Sequence, residues 1–125
     1  MKIIDIKDIL KAEIYTGEEF YEKEIQGVFA SDLMSDVLTT EFFEDKSILV
    51  SGLNNPQVIR TAEMLDIDAV LLVRGKIPTK ETVAMAGENK MVLMSTNYNM
   101  FNACGILYSK GIKGLSNEKN KELQV

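Results

Sequence analysis

From residue 25 onward, short apolar runs alternate along the chain with segments whose apolar residues recur at helical spacing. The runs are rich in aliphatic and β-branched side chains, which favours buried strands, and a recurrence every three or four residues favours helices. Strands that alternate with helices are typical of an α/β domain with a mostly parallel sheet. The pattern predicts four strand–helix units, whose strands cover residues 25–30, 47–51, 69–73 and 91–94.

Short polar residues and glycines mark the predicted ends of the helices. The expected N-caps of the first three helices are Ser31, Asn55 and Thr79, and Pro56 stands at a first helical position, where proline is favoured. The helix after Ser31 should begin at about Asp32. Gly87 and Gly111 should lie near the ends of the third and fourth helices.

The segment before residue 25 predicts a short helix over residues 5–12 and a brief strand over 13–15, turned by Thr16 and Gly17. The run 69–73 is the most apolar of the four strands, so it should lie near the centre of the sheet. After Gly114 the sequence becomes polar. We expect one domain over residues 1–114 and a polar C-terminal tail over 115–125.

The bulk composition narrows the class of protein. A chain of 125 residues with a formal charge of −5 is expected to form one domain, and it lacks the basic surface that nucleic acids and anionic membranes require. No run approaches the roughly 20 apolar residues of a membrane span, and the N-terminus does not resemble a signal peptide. The single cysteine excludes an internal disulfide, which fits a cytoplasmic protein.

A binding site is expected where the carboxyl ends of parallel strands meet, because the loops that follow such strands share one edge of the sheet. Helix N-termini and basic residues at this edge favour a small anionic ligand, such as a nucleotide or another phosphorylated metabolite. Alternatively, the polar residues only cap helices and the basic ones are only solvated. The candidate ligand-binding residues are Ser31, Asp32, Asp36, Asn54, Asn55, Arg74, Lys76, Ser95 and Asn97.

The stretch SDLMSD places Asp32 and Asp36 four residues apart, on one face of the predicted helix. The helix dipole explains Asp32 in the first turn but explains Asp36 less well. Two carboxylates are too few for a magnesium or calcium site, and no metal is expected. Acid/base catalysis by the pair would need a group that separates their pKa values. The remaining interpretations are a face that meets a ligand or subunit and a face that meets water.

The motifs of common enzyme classes are missing from the sequence. It contains no histidine, no GxxxxGK[ST] phosphate loop, no GxGxxG fingerprint and no CxxC or HExxH motif. We therefore expect a protein that is not an enzyme and has no cofactor. The last helix has an apolar stripe of Met100, Cys104, Leu107 and Tyr108, which are expected to contact the core. Cys104 is therefore predicted to be a structural thiol, and Gly105 beside it suggests close packing against another element.

Three blocks of the sequence resemble the DRTGG domain family in order and spacing: GVFASDLMSDVL, ILVSGLNNPQVIRTAEMLDIDAVLLVRGKIP and STNYNMFNACGILYSKGIKG. They span residues 27–114 and look most like short stand-alone members, often encoded near iron-only hydrogenase genes. The resemblance implies a three-layer α/β/α sandwich similar to the N-terminal domain of HPr kinase/phosphorylase. It does not imply kinase activity, because the phosphate loop of that enzyme belongs to a separate domain.

The chain departs from the family's name-giving motif at two places. It has Asn54, Asn55 and Pro56 where many members have Asp-Arg-Thr, and Arg74 and Gly75 where they have paired glycines. The resemblance implies a regulatory or accessory domain, and together with the methionine-rich fourth unit it predicts a homodimer. Combined with the site expected above, the leading hypothesis is such a domain that binds a small anionic ligand at the carboxyl ends of the strands. The alternative is a protein-interaction module that assists a hydrogenase or electron-transfer complex without a small ligand.

Overall fold

A computed structural model describes residues 1–38 and 46–114 of the chain. Within these ranges the chain forms five helices and six strands, with one turn of 3₁₀ helix at Glu18–Phe20. The helices are α1 (Ile3–Ile9), α2 (Met34–Leu38), α3 (Pro56–Met64), α4 (Lys80–Glu88) and α5 (Met100–Ser109). The strands are β1 (Glu13–Thr16), β2 (Gly27–Ala30), β3 (Ser47–Ser51), β4 (Ala69–Leu72), β5 (Val92–Ser95) and β6 (Lys113–Gly114).

The strands form one mixed sheet in the order β1-β5-β4-β3-β2-β6. All neighbours are parallel except β1, which runs antiparallel to β5 at one edge. One apolar cluster packs α1 and α5 against one face of the sheet, and a second packs α2, α3 and α4 against the other. The predicted fold class, a three-layer α/β/α sandwich with a mostly parallel sheet, is confirmed.

The central position of the third predicted strand is also confirmed. Every residue of β3 and of β4 is buried, and these two strands lie at the middle of the sheet. A strand covered by helices on both faces has no polar side to present, which explains its continuous apolar pattern. The four predicted strands each match an observed strand within about two residues at each end.

Two predicted helix starts are observed. The Asn55 side chain accepts a hydrogen bond from the Gln57 N–H at 2.9 Å and caps α3. The Thr79 hydroxyl accepts one from the Thr82 N–H at 3.2 Å and caps α4. The first start is wrong, because α2 begins at Met34 and the Ser31 hydroxyl instead accepts from the Leu33 N–H at 3.1 Å, in a turn before the helix. Asn99, which caps α5, was not predicted.

The N-terminal segment forms the predicted helix and brief strand, with a tight turn at Gly17. Its φ of +86° is left-handed, and a Cβ there would lie 2.8 Å from the Val92 Cα. Glycine is therefore required by conformation and by space. This turn brings β1 alongside β5, where Glu13 is paired with Ser95.

Two expectations about α5 are wrong. A Cβ built on Gly105 would meet nothing within 4 Å, so this glycine makes no close packing inside the protomer. Tyr108 is 61% exposed, although the periodicity predicted a core contact. Its ring lies 4.4 Å from the Lys113 ammonium. The predicted tail over residues 115–125 lies outside the described residues, and the division of the chain at Gly114 stays a prediction.

Candidate ligand site at the carboxyl ends of the strands

The loops that follow β2, β3, β4 and β5 lie at one edge of the sheet. Hydrogen bonds join each of these loops to the loop of the next strand. The Asp32 carboxylate accepts the Gly52 N–H at 2.6 Å, which ties the first loop to the second. The Asn54 amide ties the second loop to the third. In the third loop, the Arg74 N–H donates to the Tyr98 carbonyl at 2.8 Å, which ties it to the fourth.

Asp32 therefore serves a neighbouring loop and not its own helix. It precedes α2 by two residues, so Asp32 and Asp36 do not share a helix face as the sequence predicted. Asp36 lies within α2 and is exposed, and it is not among the nearest neighbours of Gly52. The apparent pair of aspartates is two separate groups.

Gly52 lies between a carboxylate and a guanidinium. A Cβ at this position would lie 3.1 Å from Asp32 Oδ1 and 3.1 Å from Arg74 Nη2. Arg74 has a left-handed φ of 61°, which costs a non-glycine residue about 1 to 2 kcal/mol. Its guanidinium makes no ion pair within residues 1–38 and 46–114. The basic head group is thus held over a glycine and remains available to an anion.

The two asparagines at the start of α3 have structural tasks. Asn54 donates to the Ile77 carbonyl at 2.6 Å and accepts from the Thr79 N–H at 3.2 Å, so one amide satisfies both a donor and an acceptor of the next loop. Asn55 caps α3. Asn55 caps a helix, as the capping interpretation predicted, whereas Asn54 caps none and braces the next loop.

A polar pocket of about 280 Å³ opens beside β5, at the carboxyl end of the strand. Three of the nine candidate residues line it, namely Lys76, Ser95 and Asn97. The Ser95 hydroxyl donates to the Lys76 carbonyl and so fixes the loop that forms one wall. The Asn97 amide makes no hydrogen bond with the part of the chain that the structure describes, so its polar atoms face the pocket or solvent.

The opposite wall was missed by the sequence analysis. It is formed by Lys11, Glu13 and Tyr15, from the junction of α1 and β1. Because β1 is antiparallel, it starts at the edge where the parallel strands end, and this brings its first residues beside Ser95. The brief strand itself was predicted, but its direction was not, and the direction decides which of its ends meets the site.

The pocket carries two lysines and one carboxylate. Neither the Lys11 nor the Lys76 ammonium forms an ion pair with a described residue. The Glu13 carboxylate accepts a hydrogen bond from the Tyr15 hydroxyl at 3.1 Å. Burial, and then this bond to Glu13, raise the pKa of Tyr15, so the phenol stays protonated and remains a donor. The pocket thus offers two cations and one carboxylate that already accepts a hydrogen bond, an arrangement suited to an anion.

The described residues contain no group of three or more cysteine, aspartate or glutamate side chains that could hold a metal ion. None of the helices in these ranges is long and apolar enough to cross a membrane. The Cys104 thiol is half-buried on α5 and does not line the polar pocket, and burial raises its pKa. A reactive thiolate is therefore not part of this edge.

The fold and the edge define a small α/β/α sandwich domain whose polar loops converge at the carboxyl ends of parallel strands. The chain belongs to the DRTGG domain family, whose sequence profile matches residues 5–109. Among curated proteins, none matches the chain. The predicted family membership is confirmed, and the match extends further toward the N-terminus than the resemblance did, across α1 and β1.

A solved structure of similar fold is that of the CBS and DRTGG domains of the regulatory region of Clostridium perfringens pyrophosphatase, complexed with the activator diadenosine tetraphosphate. The TM-score is 0.66 at 23% sequence identity. The match covers 85% of this chain and 45% of that one, so the chain spans less than half of its neighbour. The similarity establishes the fold of this chain, and the regulatory region is that of the pyrophosphatase.

Proposed function

We propose that this DRTGG domain is a regulatory domain without catalytic activity that binds a small anionic metabolite of nucleotide type. The observation that carries the proposal is the polar pocket, which is lined by Lys11 and Lys76 together with Ser95 and Asn97, and in which neither ammonium group forms an ion pair with a described residue. Two cations that have no carboxylate partner attract a phosphate or carboxylate group, because charged hydrogen bonds are stronger than neutral ones.

The overall charge strengthens this argument. The chain carries a formal charge of −5, so its surface as a whole repels anions. A local concentration of unpaired lysines on an acidic protein needs a reason, and an anionic ligand supplies one. The Arg74 guanidinium, in the same loop as Lys76, adds positive charge at this edge.

The size and rim of the pocket suggest how a nucleotide would be accommodated. Its volume of about 280 Å³ is at the lower end of the range for ligand pockets. A phosphate and the sugar attached to it suit such a volume, and the base would lie at the rim. Ile77 lines the pocket and is 74% exposed, which provides an apolar surface for a base.

The similar regulatory region from pyrophosphatase supports a nucleotide as the first ligand to test, because that region was solved with a dinucleotide activator. We infer no position of the ligand from it. For this chain, the positive charge of the pocket leads us to test four anions that carry phosphate, in order of increasing size: inorganic phosphate, AMP, ATP and diadenosine tetraphosphate.

The proposal is tested by calorimetry and thermal shift with those four anions. A ligand at one hundred times its dissociation constant should stabilise the fold by about 2.7 kcal/mol. Lys76→Gln and Lys11→Gln should each weaken binding about tenfold or more, because a hydrogen bond to a charged group contributes about 1.5 to 3 kcal/mol. Lys90→Gln is the matched control, since Lys90 follows the C-terminal end of α4 at the opposite edge of the sheet.

Flat melting curves with all four anions at millimolar concentration would remove nucleotides and phosphate from consideration. Equal losses of affinity in the Lys76 and Lys90 variants would show that binding depends on general charge and not on the pocket. The alternative function, docking onto a redox enzyme without a small ligand, predicts recovery of a hydrogenase or electron-transfer protein in an anaerobic pull-down. In that case Ile77→Ser should reduce recovery, because this side chain protrudes from the same edge.

The proposed regulatory domain is a homodimer. The support for this part is α5, which has no charged residue from Met100 to Ser109 although it lies in an outer layer of the sandwich. Light scattering at micromolar concentration should give a mass near twice 14.0 kDa. A mass near 14.0 kDa would contradict the dimer and leave the pocket unaffected.

A further inference from the structure

Helix α5 has an outer face that residues 1–38 and 46–114 leave uncovered. Phe101 is 85% exposed and Tyr108 is 61% exposed, and Gly105 lies between them with open space around its Cβ position. A surface helix normally presents charged residues to water, whereas a helix that is apolar or uncharged all round is normally buried. The composition of α5 is therefore that of a helix covered on both sides.

An apolar groove of about 290 Å³ adjoins this face. One wall is formed by the side chains of Cys104, Leu107 and Tyr108 on α5 itself. The other wall comes from β2 and from the chain at and just before the edge strand β6, at Val28, Phe29, Ala30, Ile112 and Gly114. The same helix thus carries a protruding ring at its N-terminal end and a hollow toward its C-terminal end.

We propose that this face is the contact between two copies of the chain, with the α5 helices antiparallel across a two-fold axis. In such a contact the same patch meets itself, so residues are exchanged symmetrically between copies. If the axis passes between Cys104 and Gly105, Phe101 of one copy faces Tyr108 of the other. Each Phe101 ring would then enter the groove of the other copy, and both grooves would be filled at once.

Gly105 has a role in this arrangement that it lacks in the protomer. A glycine beside the axis lets two helix backbones approach closely, because no side chain separates them. The aromatic rings one turn to either side then supply the contact area. Four rings in the dimer, at roughly 150 to 250 Å² each, provide on the order of 600 to 1,000 Å², a large part of a standard interface of about 1,600 Å².

Charge favours a second copy as the occupant. Two chains of −5 repel each other, and a contact through α5, which has no charged residue from Met100 to Ser109, brings no further like charges together. The Lys113 ammonium lies 4.4 Å from the Tyr108 ring and is a positive charge beside this face. The inference rests on the homodimer of the proposed function and adds its face and its contacting residues.

The test measures the dimer dissociation constant by sedimentation equilibrium for three variants. Phe101→Ser and Gly105→Gln should each raise it about 100-fold or more, because each change acts twice in a symmetric contact and aromatic anchors dominate such interfaces. Met64→Ser is the matched control. Met64 is a large apolar residue on α3, 70% exposed in the opposite helix layer, and its loss should leave the constant unchanged.

Thermal unfolding of the same variants separates the interface from the fold. Gly105→Gln should unfold at no lower temperature than the wild-type monomer, since the added side chain meets open space and raises helix propensity. A wild-type dimer whose constant is unchanged in both α5 variants would overturn this face and leave the proposed dimer standing. A wild-type chain that stays monomeric at 100 micromolar would overturn both the α5 contact and the proposed dimer.

Discussion

Asn54→Ala should lower the free energy of unfolding by about 1 to 2 kcal/mol and leave the direct contacts to the ligand intact. The side chain donates to the Ile77 carbonyl at 2.6 Å and accepts from the Thr79 N–H at 3.2 Å. A hydrogen bond contributes about 0.5 to 1.5 kcal/mol net. Two such bonds give about 1 to 3 kcal/mol, and the lower part of that range applies because Ile77 and Thr79 are exposed and water can replace the lost partner.

The assay is urea unfolding followed by circular dichroism, with a thermal melt in parallel. For a chain of this length, a loss of that size should lower the melting temperature by about 4 to 8 °C. Asn97→Ala is the matched control, since it removes the same amide from the neighbouring loop, where the side chain makes no hydrogen bond to the described protein. We expect it to change stability by less than about 0.5 kcal/mol and to weaken anion binding.

The reasoning is refuted by the reversed pattern. If Asn54→Ala leaves the urea midpoint unchanged and abolishes binding of an anion that wild type binds, Asn54 contacts the ligand and does not brace the loop. If Asn97→Ala destabilises as much as Asn54→Ala, the difference in hydrogen bonding between the two amides does not govern stability at this edge.

Two further predictions concern a helix end and the thiol. Lys90 follows α4 with a left-handed φ of 53°, while the Met91 N–H donates to the Ala86 carbonyl, so Lys90→Gly should raise the free energy of unfolding by about 0.5 to 1 kcal/mol in urea. Lys110→Gly, where φ is −91°, should give no such gain. Because burial raises the pKa of Cys104, iodoacetamide at pH 8 should alkylate it more slowly in the folded protein than in urea, as measured by mass spectrometry. Equal rates in the two states would contradict the effect of burial.

The sequence predicted the layers of this fold because its strands are buried on both faces. The apolar runs of β3 and β4 are continuous. Such a run indicates a strand near the centre of the sheet even when the neighbouring strands are not known. The caps at Asn55 and Thr79 were equally predictable, because each satisfies a backbone N–H two or three residues along the chain. Local hydrogen bonds leave a local signature.

The site was only partly predictable because its remaining contacts are not local. Asp32 was assigned to the start of a helix, since nothing in the sequence shows that the Gly52 N–H would be the nearer donor. Lys11 and Glu13 were not considered, because a strand of four residues with one exposed and three half-buried positions gives no indication of its direction. Tyr108 was placed in the core because helical spacing does not tell a face that packs on the sheet from one that a second copy would cover.

The hydrogen bonds at the edge reduce the set of residues that can choose the ligand. The polar side-chain atoms of Asn54 and Ser95 already form hydrogen bonds with the loops that form the pocket, and the Asn55 side chain caps α3. An anion needs hydrogen-bond donors that the protein has left unsatisfied. At this edge, such donors include the side chains of Lys11 and Lys76 and other side chains of the two segments that carry these lysines. Where DRTGG relatives differ at the first three positions, the pocket should change shape, and where they differ at the lysines it should change ligand.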